Sequence, residues 1–125
     1  DNTNTTYFHN SDAITISQSK IVYDVKVLDI TSVEVDNSGF ASVNTVQGNT
    51  YKTTMPFTSV MAKVESTSHK QHFFYTNKRK QAINLIYKKE INKQKRTITL
   101  EFLGNKKTLP FTVRQYYELL KLEKS

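Results

Sequence analysis

Residues 20–47 read KIVYDVKVLDITSVEVDNSGFASVNTVQ, and this stretch decides the fold. β-Branched residues crowd Lys20–Val35. Ile21, Tyr23, Val25 and Val27 share one face at a period of two, while Val22, Leu28 and Ile30 fall on the other. A long strand, buried in part on both sides, is expected. Asp36-Asn37-Ser38-Gly39 is a turn in which Gly39 is free to take positive φ. Phe40–Gln47 returns as the next strand, and Gly48-Asn49 turns again. Strands joined by turns this short pair antiparallel.

Working outward, Ala13–Ser17 reads as a short strand before this pair. Tyr51–Glu65 is expected to be extended, with Pro56 marking an edge or a bulge. Beyond Pro56, Thr58, Val60, Ala62 and Val64 alternate with Phe57, Ser59, Met61 and Lys63. A loop at Ser66–Gln71 leads to a strand at His72–Thr76 and a turn at Asn77–Lys80. Ala82–Ile91 and Thr97–Leu103 read as a hairpin around the basic turn Asn92–Arg96. Gly104-Asn105 turns, and Thr108–Phe111 is a short last strand. A helix from Val113 to Lys124 closes the chain. Thr112 and Gln115 form its capping box, and Phe111 and Tyr116 its hydrophobic staple. Val113, Tyr116, Tyr117 and Leu120 fall at i, i+3, i+4 and i+7 as one apolar stripe. The expected fold class is α+β: a single curved, mostly antiparallel meander of roughly six to eight strands with a packed C-terminal helix. Residues 1–12 read as a polar linker and 13–125 as a single domain.

Composition excludes more than it selects. The 125 residues hold one domain with a modest core, filled largely by seven Tyr and seven Phe because Trp is absent. With no cysteine there is no disulfide scaffold, thiolate zinc site or cysteine nucleophile. Gly39, Gly48 and Gly104 all fall in turns, which leaves no phosphate-cradling loop, dinucleotide fingerprint or nucleophile elbow. The carboxylates are scattered, and Asp24 and Asp29 have opposite parity, so no acid–base pair follows. Glu65, His69 and His72 have metal-like spacing but fall on a strand end and loop, and read as solvated. No catalytic residue, cofactor or metal site is expected, and no stretch has the length of a membrane span.

Charge is the positive signal. Residues 1–69 carry Lys20, Lys26, Lys52 and Lys63 against seven acids, whereas residues 70–107 carry eleven Lys/Arg against only Glu90 and Glu101. The candidate basic surface is Lys78, Arg79, Lys80, Lys88, Lys89, Lys93, Lys95, Arg96, Lys106 and Lys107, mostly in turns at hairpin ends. Asn77–Lys80 and Gly104–Lys107 are expected near one end of the sheet, with Asn92–Arg96 at the other. Phe73, Phe74, Tyr75 and Tyr87 interleave with these cations. Such a surface suits nucleic acid or anionic lipid. The same lysines also suit solubility and the blunting of sheet edges. Tyr116, Tyr117 and Leu120 are the candidate helix interface.

Val25-x-Val27-x-x-Ile30-Thr31, Ala41-x-Val43 and Lys52-Thr53-Thr54 followed by Thr58-x-Val60-x-Ala62 resemble the strand meander of the VirB-eight-like family. These are assembly factors of type IV secretion and conjugation machines. Two features depart from the family pattern: the clear helix comes last, and the Asn-Pro-x-Gly turn is missing. The resemblance implies a nuclear-transport-factor-two-like fold and a non-catalytic assembly module. It further implies a module anchored in a bacterial envelope by a segment upstream of Asp1 and lying on the extracytoplasmic face. Its expected partners are other secretion-channel subunits and further copies of itself. The alternative is a small basic β-module that binds nucleic acid or anionic lipid through residues 70–107.

Overall fold

The structure, a computed structural model, describes residues 13–76 and 79–123; the 1–12 segment, Asn77, Lys78 and the last two residues lie outside it. The chain is α+β, its strands pair antiparallel and its C-terminal helix is packed. The strands divide among three sheets rather than one. A hairpin joins β1 (Ala13–Gln18) and β2 (Ile21–Lys26). The central sheet holds β3 (Ile30–Val35), β4 (Phe40–Thr45), β5 (Thr50–Pro56), β6 (Phe73–Thr76) and β7 (Gln81–Asn84) in the order β5-β4-β3-β7-β6. The third sheet runs β10-β9-β8, from β8 (Lys88–Asn92), β9 (Thr97–Phe102) and β10 (Asn105–Pro110). The helices are α1 (Phe57–Glu65) and α2 (Val113–Glu123).

The long strand expected over Lys20–Val35 is two strands. A 3-10 turn at Val27–Asp29 carries the chain from β2 in one sheet to β3 in another. Both faces of the run are apolar because each half faces a different neighbour. Ala82–Ile91 breaks in the same way at Leu85–Tyr87. The Tyr87 hydroxyl donates to the Leu28 carbonyl, so the two breaks brace each other. Tyr51–Glu65 is corrected more deeply, since its second half is α1. Phe57, Val60, Met61 and Val64 fall at i, i+3, i+4 and i+7, and all are buried. Pro56 stands just before the first turn, where a missing N–H costs nothing. Tertiary burial of that stripe overrides the β preference of Thr58, Val60 and Val64.

The central sheet is covered on both faces. One core joins Ile14, Ile16 and Val25 of the hairpin with Val33, Val43 and Ala82 of the sheet and the buried stripe of α1. The other joins Phe74 and Ile83 with Ile98, Leu100, Leu109, Phe111 and Leu119. Neighbouring β7 residues Ala82 and Ile83 therefore serve different cores, and all four residues of β7 are buried. Asn84 is fully buried. Its Nδ2 donates to the Ile30 carbonyl at 2.9 Å, and its Oδ1 accepts from the Ile86 N–H at 3.1 Å.

The C-terminal helix starts where its capping box lies. Thr112 Oγ1 accepts from the Gln115 N–H at 3.1 Å, and Gln115 Oε1 accepts from the Thr112 N–H at 2.8 Å. The Phe111 and Tyr116 rings stack with centroids 5.9 Å apart, completing the staple. The apolar stripe is rotated from the expected one. Leu119 is the buried anchor, Tyr116 and Leu120 are half-buried, and Val113 and Tyr117 face solvent.

Asn84→Ala leaves the buried Ile30 carbonyl without its side-chain partner and removes the cap on the Ile86 N–H. It is expected to lower unfolding stability by about 2–4 kcal/mol. Urea denaturation checks this as a shifted midpoint with an unchanged slope.

Candidate nucleic-acid interface

The first turn of α2 is held between β6 and the basic β8–β9 turn. On one side Gln115 Nε2 donates to the Tyr75 carbonyl at 3.1 Å, which ties α2 to β6. The Tyr75 ring carries the Arg79 guanidinium 4.1 Å from its centroid. On the other side Lys93 Nζ lies 5.9 Å from the Tyr116 ring centroid. The Phe111 N–H donates to the Arg96 carbonyl at 2.8 Å, which holds the β8–β9 turn against the start of the helix. Arg79, Lys80, Lys93, Lys95 and Arg96 are exposed, and so is Arg114 in the first helical turn. None of these six forms an ion pair among the described residues. Arg79 and Arg96 sit at φ 65 and 54, in the left-handed region.

The remaining cations of the expected surface lie elsewhere. Lys89 and Lys106 flank Glu101 on the outer face of the third sheet, at 3.4 and 3.9 Å. Lys107 is half-buried and pairs with Glu34, which also accepts from Gln81 Nε2 at 2.9 Å. Gln81 in turn accepts from the Thr76 hydroxyl at 2.8 Å. Lys107 is thus a structural link between two sheets. Lys88 is exposed at the start of β8, and Lys78 lies outside the described residues. The turns also separate by face: the Lys93–Arg96 turn meets the start of α2, whereas the Arg79 guanidinium lies beside α1 in a pocket with Phe57, Thr58, Met61 and Glu65.

Sequence reasoning missed two contributors. Arg114 lies two residues after the Thr112 cap, off the expected apolar stripe of Val113, Tyr116, Tyr117 and Leu120, and is exposed. Tyr75 was read only as one of several aromatics, yet on β6 it alternates with buried Phe74 and serves as the shelf for Arg79. Its hydroxyl also donates to Glu65 at the end of α1. Burial pushes the Tyr75 phenol up to about 12, reinforced by the hydrogen bond and charge of Glu65 and opposed by Arg79.

The His69 and His72 rings stack with centroids 5.9 Å apart. Among the described residues no group of three or more His, Cys, Asp or Glu side chains is placed to hold a metal ion. No helix among these residues is long and apolar enough to cross a membrane.

No family model and no curated protein matches the chain. Among solved structures it is similar to a LytTr DNA-binding domain from Bacillus cereus, with a TM-score of 0.59 and 17% identity. The likeness spans 91% of this chain and 98% of that one, and it shows a shared fold.

A raised tyrosine pKa has a definite sign for stability. The unfolded chain loses this proton from about pH 10 and the folded chain only near 12, so the contribution is complete below pH 10 and lost as pH rises to 12. Glu65→Gln is expected to lower the Tyr75 pKa. Ultraviolet titration of phenolate checks this as the loss of the highest-pH tyrosine step.

Proposed function

We propose that this chain is a nucleic-acid-binding module. Its binding surface is the first turn of α2 and the β8–β9 turn. One observation carries the reading. Lys93, Lys95, Arg96 and Arg114 are exposed, form no ion pair among the described residues and lie at the β8–β9 turn and the helix start it is bonded to, whereas Lys89 and Lys106 share Glu101 and Lys107 pairs with Glu34. A surface of unpaired cations suits a phosphate backbone, whose condensed counterions are released on binding. The similar B. cereus structure is a DNA-binding domain, which makes duplex DNA the first ligand to test.

Each part has a stated task. Lys93, Lys95 and Arg96 supply point and fork charges to phosphates on one side of α2. Arg114 extends this group onto the first turn of α2. Phosphate contacts position the module, and any sequence preference comes from arginine forks reaching base edges.

A second reading, the assembly module of a conjugative secretion machine, draws on one observation. Val113 and Tyr117 stand exposed on the outer side of α2, as a protein-contact surface requires. Contacts through this apolar pair would respond little to salt, whereas phosphate contacts weaken steeply.

The test is fluorescence anisotropy with duplex DNA across a salt series. Lys93→Ala, Lys95→Ala and Arg96→Ala together are expected to weaken binding at least about tenfold at low salt, on every sequence, and to lower the log–log salt slope by about 2–3. Lys89→Ala with Lys106→Ala is expected to change it less than about twofold, because Glu101 already holds both cations. Equal losses in the two variants would overturn this surface. Sedimentation with anionic vesicles in place of DNA binding would point to lipid.

A further inference from the structure

Strand β2 is an open sheet edge. It pairs with β1 alone, and among the described residues no strand occupies its other side. The hairpin closes through Ser19-Lys20, with Gln18 opposite Ile21 and Ser19 at φ 56. Antiparallel positions alternate between bonded and non-bonded pairs, starting from a bonded pair at such a tight loop. Ile21, Tyr23 and Val25 therefore direct their N–H and C=O groups to β1, and Val22 and Asp24 turn theirs outward. Natural edges are guarded by prolines, bulges or inward lysines. This one carries Ile21 and Val22 at 58% and 62% exposure, on opposite faces of the strand.

We propose that this edge pairs with β2 of a second copy, antiparallel about a twofold axis at Val22. Charge favours that register over slips toward the Lys26 end of β2. With Val22 opposite Val22 of the partner subunit, Lys20 lies opposite Asp24 of the partner subunit, twice over by symmetry. Ile21 then meets Tyr23 of the partner subunit. A slip of two residues places Lys20 opposite Lys26 of the partner subunit, and a slip of four places Asp24 opposite Asp24 of the partner subunit. Both slips set like charges face to face.

The surroundings fit the same register. Lys20 has no ion-pair partner among the described residues. Asp24 accepts from the Thr15 hydroxyl through one oxygen, Oδ1, at 2.8 Å, which leaves the other for a cation. A cleft of about 280 Å³, lined by Asp24, Lys26, Asp29, Thr45, Asn49 and Tyr51, opens beside the second half of β2. The partner's hairpin tip reaches this side and brings Lys20 of the partner subunit toward Asp24 and Asp29. The pairing is short, so it buries far less than the roughly 1,600 Å² of a standard interface. The dimer is weak and concentration-dependent. It uses none of the basic turns and stands independently of the nucleic-acid reading.

Sedimentation velocity of the whole chain, from about 10 µM to 1 mM in low salt, tests it. The weight-average sedimentation coefficient is expected to climb toward the dimer value. Asp24→Lys sets like charges opposite Lys20 in two symmetric places, and is expected to weaken association about tenfold. Combining it with Lys20→Asp restores opposite charges and is expected to return association to near the unmodified value. A chain that stays monomeric overturns the proposal. So does association that Asp24→Lys leaves unchanged, or that the double reversal fails to restore.

Discussion

Strand β7 has no solvent-facing side, and the rest of the structure is arranged around that constraint. A strand covered on both faces needs two cores, one from the β1–β2 hairpin and α1, the other from the third sheet and α2. It must also satisfy every polar atom internally. Asn84 does so by closing on the Ile30 carbonyl and the Ile86 N–H, and Gln81 by bridging Thr76 and Glu34. Glu34 then recruits Lys107 from the third sheet. The polar chain from Thr76 to Lys107 fixes how one sheet lies on the other, a directional role that apolar contact alone leaves loose.

Much of this architecture was legible where the cause is local. The Asp36–Gly39 turn is one such case: the Asp36 carboxylate accepts from the Ser38 N–H and hydroxyl and from the Phe40 N–H, at 2.8–3.0 Å. Slight desolvation pulls its pKa up, but these bonds outweigh it and hold the carboxyl below its ordinary value. The capping box at Thr112 and the staple at Phe111 and Tyr116 are local in the same sense. What escaped reading depends on which surface a segment meets. Thr58-x-Val60-x-Ala62-x-Val64 satisfies a strand period while Phe57, Val60, Met61 and Val64 satisfy a helical one. Only the apolar face waiting above the central sheet decides between them. The rotation of α2, with Leu119 inward and Tyr117 outward, has the same origin.

The candidate surface divides along the same line. That residues 70–107 are basic is written in the composition. Which lysines are neutralised is not, because Lys89 and Lys106 meet Glu101 by strand register, and Lys107 meets Glu34 across 73 residues of chain. The meeting of the 93–96 turn with the helix start follows from the path of β10 into α2. The helix start is delivered to β6 by one amide and to the β8–β9 turn by one backbone bond. Charge that is diffuse in sequence becomes local because one helix begins between two hairpins.

Arg79 and Arg96 are each held in a left-handed backbone conformation. A residue with a Cβ sits there at a cost of roughly 1 kcal/mol, and glycine at almost none. Selection for stability alone would therefore favour glycine at both turns, and selection for an anionic partner would favour arginine. The two pressures act on the same two residues. Both turns are therefore where the folded chain has stability in reserve, released only by giving up charge.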